Sequence, residues 1–250
     1  MSEPSYPKTP RNAINRLRNR GAYDFQTAHG IINTTAVLHV SFAPDPTDPY
    51  PIVLPMIGQM GTRTEPHSTD LNHPMDLYLH GSISSRIMKL SHEAIARGDH
   101  GLAVCIAATK VDGYVLAHTP FHHSYNFRSA VVHGHATVLI TNKIVPERWQ
   151  NTRTPPNQVE LQSTNILRVR VFSGSAKLRW GVPNGDRADL KNQDVLDRYW
   201  AGVVPMWETF GEPICAPSNQ APVPDHVRGF VQRQNEENRR VALEASEEQK

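Results

Sequence analysis

The sequence predicts a mainly β protein, an antiparallel β-barrel with peripheral helices. Short runs rich in β-branched and apolar residues recur along the chain. One strongly amphipathic helix stands among them, and strands and helices do not alternate in the βαβ manner that builds a parallel sheet. No segment repeats, and 250 residues are read most simply as one barrel domain over 16–210. A polar, Pro-rich arm over 1–15 has nothing to bury and is expected to be disordered, and a charged tail occupies 211–250.

The elements follow in order. Asp24 can cap a short helix that continues through His29, Ile31 and Ile32. Ala36 to Phe42 is mostly apolar and β-branched and reads as the first strand. Tyr50 to Ile57 is a second, whose prolines argue for a sheet edge or a bulge. Residues 58–74 read as a polar loop, and the alternation from Met75 to His80 as a third strand. Ser82 opens the best helix, which stops at Gly98, with Ile83, Ile87, Leu90 and Ala94 as its buried stripe. Leu102–Thr109, Tyr114–Thr119 and Ser129–Ile140 are strand candidates, and Asp112-Gly113 between the first two is a hairpin signal. A short helix over Gln158–Thr164, a strand over Ile166–Val171 and an apolar segment over Ala201–Met206 that packs on the barrel complete the domain. From Pro217 onward the composition fits a solvated helix or a loose tail.

The charge balance is near neutral, with 26 Lys and Arg against 24 Asp and Glu, which gives no electrostatic reason to expect nucleic acid or membrane as a partner. No apolar stretch is long enough to span a bilayer, and no secretory leader is apparent. Cys105 and Cys215 form no metal-spaced or CxxC pair. A cytoplasmic, soluble protein is the expectation.

Gly-rich dinucleotide, P-loop and GxSxG motifs are absent, so any phosphate site must be built another way. The run His80-Gly81-Ser82-Ile83-Ser84-Ser85-Arg86-Ile87-Met88-Lys89 leads from a strand into a helix. A helix start presents unpaired N–H groups and the positive end of its dipole. At about 100° per residue, Ser82, Ser85, Arg86 and Lys89 share one face beside the apolar stripe. The same residues also suit a well-capped helix with a solvated polar face. Among the histidines, His133 and His135 share a strand face, which is thin evidence for a metal without a third ligand. His39 and His80 read as core or interface histidines. Ser124 has neighbouring histidines in sequence, but adjacency does not make a triad.

Leu77 to Arg86 resembles the strand-to-helix segment of the flavin-nucleotide-binding branch of the pyridoxamine 5'-phosphate oxidase-like family. So do the runs Phe121-His122-His123-Ser124-Tyr125-Asn126-Phe127-Arg128-Ser129 to Gly134, Asp112 to Ala117, Arg20 to Asp24 and Trp200 to Pro205. The resemblance implies a six-stranded antiparallel split β-barrel that forms a homodimer with FMN at the subunit interface. It implies that Ile52, Val53, Leu54 and Pro55 run along the isoalloxazine and that Leu79 and His80 flank it. Ser85 and Arg86, with Lys89, would hold the phosphate, and Arg128 and Ser129 match the place where the partner subunit reaches across. The activity implied is an FMN-dependent oxidoreductase acting on a small molecule. A non-catalytic flavin-binding or storage module and a haem-binding relative are the alternatives. No side chain stands out as a catalytic acid or base. Two features depart from the family pattern. Pro51-Ile52 stands where relatives have a basic residue, and only Thr141-Asn142-Lys143 stands where a helix is expected.

Overall fold

The computed structural model describes residues 3–45, 47–62, 65, 68–139, 153 and 164–247. Eight strands are described: β1 Gly21–Ala22, β2 Leu38–Phe42, β3 Ile52–Gly61, β4 Asp76–Ser82, β5 Leu102–Leu116, β6 Ser124–Leu139, β7 Thr164–Arg179 and β8 Gly202–Pro205. The helices among these residues are α1 Phe25–Thr34, α2 Arg86–Ala96, α3 Gln193–Arg198 and α4 Asp225–Glu244. The sheet runs β1-β7-β4-β3-β2-β5-β6, and a further β7–β6 pairing closes six of the strands into a barrel. The predicted mainly β, six-stranded antiparallel barrel with peripheral helices is therefore the fold observed.

The chain divides into two compact units, 1–110 with 129–177 and 111–128 with 178–250. In the first, strand alternation points one face inward. Leu38, Val40, Leu77, Leu79, Ile106, Val132, Leu167 and Val169 are fully enclosed and form its core. Asp24 caps α1 by accepting the Thr27 N–H at 2.7 Å, as its sequence position predicts.

The N-terminal arm is not loose. Ser5 bridges to Asp24, and Tyr6 is buried against Phe25 at a ring separation of 4.6 Å. The Tyr6 hydroxyl lies 2.7 Å from His29 Nε2. A single aromatic with a buried partner anchors a segment whose composition shows no periodic signal.

β3 lies inside the sheet, paired to β2 from Ile52 to Met56 and to β4 from Ile57 to Gly61, and extends four residues beyond the strand expected from its sequence. Pro55 pairs only with His39, because the β4 register begins at Ile57. The proline thus sits where one side of its strand is unpaired, which is the local condition that its missing N–H requires.

α2 starts at Arg86, not Ser82, and its buried residues are Ile87, Met88, Ser91 and Ala94. Ile83 precedes the helix in a turn and is exposed. Gly98 ends the helix at φ 85° as predicted, with the Asp99 N–H returning to the Ala94 carbonyl. The expected helix over Gln158–Thr164 falls on residues outside those described, apart from Thr164, which opens β7. The short connection at Thr141-Asn142-Lys143 also lies outside the described residues.

In the second unit, Asp112-Gly113 makes no hairpin, and β5 runs through it unbroken. The Asp112 carboxylate is buried and bound by Arg128, and its carbonyl accepts the Met206 N–H at 3.1 Å. Gly113 is opposite Pro205 of β8, and a Cβ there would lie 3.0 Å from the Val204 carbonyl oxygen. The glycine provides close approach rather than a turn. The apolar Ala201–Met206 segment becomes β8 and pairs with β5 over residues 113–116. The charged tail forms α4, held by Asn235 to the Phe210 backbone and by Asn238 to the Glu208 carbonyl.

Candidate functional site

The strands β2, β3 and β4 present a continuous outer face in the first unit. Antiparallel register sets His39 beside Pro55 and His80 beside Ile57, with Ser41 beside Val53. Val53 is 54% exposed and Ile57 41% exposed, and Pro55, His39 and His80 are exposed with them. The inward members of the same strands, Ile52 and Leu54, are half-buried, and Leu79 is fully buried. Of the residues assigned to the flavin ring, Val53, Pro55 and His80 turn outward. Ile52, Leu54 and Leu79 turn toward the interior and offer an outer ligand only their main chain.

β4 leads directly into the start of α2. A Cβ on Gly81 would sit 3.1 Å from Met56 Cε and 3.4 Å from Met88 Cε, so the missing side chain lets the strand end pack tightly beside both methionines. A turn follows, in which the Ser85 N–H donates to the Ser82 carbonyl and the Ser82 and Ser84 hydroxyls lie 2.9 Å apart. Ser85 is the N-cap with extended backbone, yet its side chain makes no capping bond. Its Oγ is buried without a hydrogen-bond partner among the described residues. The first N–H groups of any helix also have no acceptor within it. One turn thus gathers an unused hydroxyl, open backbone donors and the positive end of the helix dipole.

Arg86 and Lys89 follow, both exposed, and neither side chain hydrogen-bonds or ion-pairs with a described residue. The Asp45 carboxyl is held low chiefly by the Thr47 N–H and hydroxyl, with the Arg86 charge as a minor contributor. The burial of Ile87 and Met88 fixes the helix start while the cationic heads stay at the surface. This donor set fits a phosphate group.

Arg128 and Ser129 lie in different units. Arg128 grips Asp112 with both arms of its fork, Nε to Oδ2 at 2.9 Å and Nη2 to Oδ1 at 2.7 Å. Asp112 is 3% exposed, so the pair is a bidentate, charge-assisted contact at a nearly dry carboxylate. The Ser129 hydroxyl donates to the Lys177 carbonyl at 3.1 Å.

Ser41 on the outer face was missed by sequence reasoning, and His39, read as a core or interface histidine, is exposed there. The parity of β2 contained the signal: with Leu38, Val40 and Phe42 inward, the residues between must face out. Among the described residues, no group of three or more His, Cys, Asp or Glu is arranged to hold a metal ion.

Two solved structures share this fold. One is a flavocytochrome, Anf3 from Azotobacter vinelandii, with a TM-score of 0.68 and 24% identity over 88% of this chain and 96% of that one. The other is an FAD and haem binding protein from Mycobacterium smegmatis, with a TM-score of 0.65 and 24% identity over 85% of this chain and 97% of that one. No curated protein matches the sequence. The family model for pyridoxamine 5'-phosphate oxidase matches residues 24–178. That stretch is more than half of the chain and contains the outer face and the strand-to-helix turn, so the chain belongs to the pyridoxamine 5'-phosphate oxidase family.

Proposed function

We propose that this protein binds FMN and is an FMN-dependent oxidoreductase of a small-molecule substrate. The carrying observation is the junction of β4 and α2, where the buried, unmatched Ser85 hydroxyl lies beside free helix N–H groups and the Arg86 and Lys89 cations. Ser85 and Arg86, with Lys89, would bind the phosphate, and Val53, Pro55 and His80 would border the ring. When bound, the flavin supplies the hydride chemistry. The chain's own residues bind, orient and shield it, which agrees with the lack of an evident acid–base pair in the sequence. We assign the exposed apolar Val53 and Ile57 to a homodimer interface at which the flavin is enclosed. A cytoplasmic setting fits two free cysteines, and no described helix is long and apolar enough to cross a membrane.

A second reading, flavin together with haem, is favoured by one observation: both structures above are named for a haem or cytochrome character. The Mycobacterium smegmatis protein is named for FAD, so the identity of the flavin is decided by experiment. An absorption spectrum of the purified protein, with mass spectrometry of the released ligand, tests all of these readings. Flavin bands and a mass equal to FMN support the proposal, and a Soret band supports the second reading. A colourless protein that ignores micromolar FMN and FAD overturns both. Turnover of NADH or NADPH with quinones or nitro compounds then separates an enzyme from a storage module.

A further inference from the structure

The outer face of β6 and β7 in the first unit carries a second cluster that the flavin reading does not use. With Val132, Ala136, Leu167 and Val169 inward, His133 and His135 of β6 and Arg168, Arg170 and Phe172 of β7 fall on the opposite face. Phe172 is 43% exposed. His135 stacks on it with centroids 5.4 Å apart, and His100, beyond α2, meets His135 edge-on at 6.2 Å. The Arg11 guanidinium lies over Phe172, 5.6 Å from the ring centroid.

Arg11 is placed there by its neighbour. Asn12 is 4% exposed, and its amide donates to the Gly174 carbonyl of β7 at 2.9 Å and to the Pro7 carbonyl at 3.0 Å. Its Oδ1 accepts the Thr9 N–H at 2.7 Å. Gly174 has no room for a side chain, because a Cβ would lie 2.7 Å from the Tyr6 ring. The arm is therefore clamped to β7 two residues past Phe172, and the cost of ordering Arg11 is already met by folding.

The charges on this face are one-sided. Asp76 is occupied by Arg168, Nε to Oδ2 at 2.6 Å, and Asp99 by Arg97 at 3.1 Å. Arg11 and Arg170 have no ion pair with a described residue. His133 Nδ1 is buried without a hydrogen-bond partner among the described residues. Its ring is held below the ordinary histidine range by burial first and by the Arg11 charge second. Two guanidinium groups, with no free carboxylate on this face among the described residues, make a poor setting for a metal cation. Many N–H donors without an acceptor suit an oxyanion.

We propose that Arg11, His100, His133, His135 and Arg170 form an oxyanion-binding site for a phosphate- or sulfate-bearing small molecule. Phe172 is the platform that orients Arg11 and His135. The site shares no residue with the proposed flavin site.

Sulfate is the appropriate probe, since it is a dianion at neutral pH and accepts hydrogen bonds without donating any. Imidazole signals of the full-length protein are followed by NMR during sulfate titration. The expected result is saturable shifts confined to His100, His133 and His135. Acetate, a monoanion, should bind at least about tenfold more weakly. Arg11→Ala should weaken sulfate about tenfold, with Arg11→Lys intermediate because it keeps the charge and loses the fork. Arg170→Gln leaves the clamped arm untouched and should weaken sulfate as well. Unsaturable shifts spread over all basic residues overturn the proposal. So does a saturation curve that neither Arg11→Ala nor Arg170→Gln moves.

Discussion

His29 is fully buried, and its two hydrogen bonds decide where its proton sits. Nδ1 lies 2.9 Å from the Leu71 carbonyl, which can only accept, so Nδ1 donates and Nε2 accepts from the Tyr6 hydroxyl. A second proton would turn Nε2 into a donor and make the Tyr6 hydroxyl give up its own donation, with the charge enclosed inside a stack with Phe25. Burial, the largest cause, lowers the His29 pKa to about 4. The folded pKa is below the unfolded one, so the unfolded chain takes up a proton first as pH falls. Stability should be level above about pH 6.5, decline between about 6.5 and 4, and lose on the order of 3 kcal/mol in that window. Urea unfolding at a series of pH values checks this, and His29→Gln should flatten the decline while lowering stability at neutral pH. At the proposed flavin site the corresponding residue is Arg86. If it binds the phosphate, Arg86→Ala removes a charge-assisted bond worth about 1.5–3 kcal/mol, and FMN affinity should fall about ten- to a hundredfold. Riboflavin lacks the phosphate and should bind the variant almost as it binds the parent, which fluorescence titration can show. Equal losses for both ligands would mean that the mutation disturbs the helix rather than a phosphate contact.

Among the elements, α2 and β5 show what local sequence can and cannot reveal. The strand-to-helix passage from His80 to Lys89 was legible because strand parity and a Gly stop each leave a local mark, whereas the turn over 82–85 reads as the first turn of the helix. The buried stripe was less so. Ile83 fits a helical period on paper, but the helix begins only after Ser85, and Met88 and Ser91 take the inward positions. At β5 the Asp-Gly pair carries a strong turn signal that a tertiary contact overrides. Arg128 is sixteen residues away and binds both Asp112 oxygens, while Gly113 admits β8. Neither partner is visible in a short window. The test is Gly113→Ala, whose new Cβ would stand 3.0 Å from both Val203 Cγ1 and the Val204 carbonyl oxygen. Crowding of this kind costs about 1–3 kcal/mol. Chemical denaturation should show that loss, and hydrogen exchange should show faster exchange at Val203 and Val204. An unchanged midpoint would mean that β8 yields easily.

For the whole molecule, both chain ends contribute to compact units, although their composition describes loose polar segments. The reason lies in the kind of contact each makes. The N-terminal arm is held by Tyr6 and Asn12, and α4 by Asn235 and Asn238, four residues that follow no apolar period. Only Ala242 of α4 is fully enclosed. The end of that helix nevertheless serves buried groups of its unit. The Ala245 carbonyl accepts the Gly181 N–H at 2.8 Å and the Asn126 amide at 2.8 Å. Asn126 is fully buried and also accepts from Arg179, whose Nη1 donates to the Gly181 carbonyl at 2.9 Å. Ending the chain at Pro222 would remove the Ala245 acceptor from both donors and the Asn235 and Asn238 bonds from the 208–210 backbone. At about 0.5–1.5 kcal/mol for each lost bond, and more where a buried donor is left unmatched, the sum is a few kcal/mol out of a typical 5–15. The truncated protein should therefore melt lower, and its Gly181 amide should exchange at least about tenfold faster by hydrogen-exchange mass spectrometry or NMR. Amides of β3 and β4 belong to the other unit and should keep their protection if the loss is local. A Gly181 amide that stays protected would instead mark α4 as a solvated appendage, as its composition alone implies.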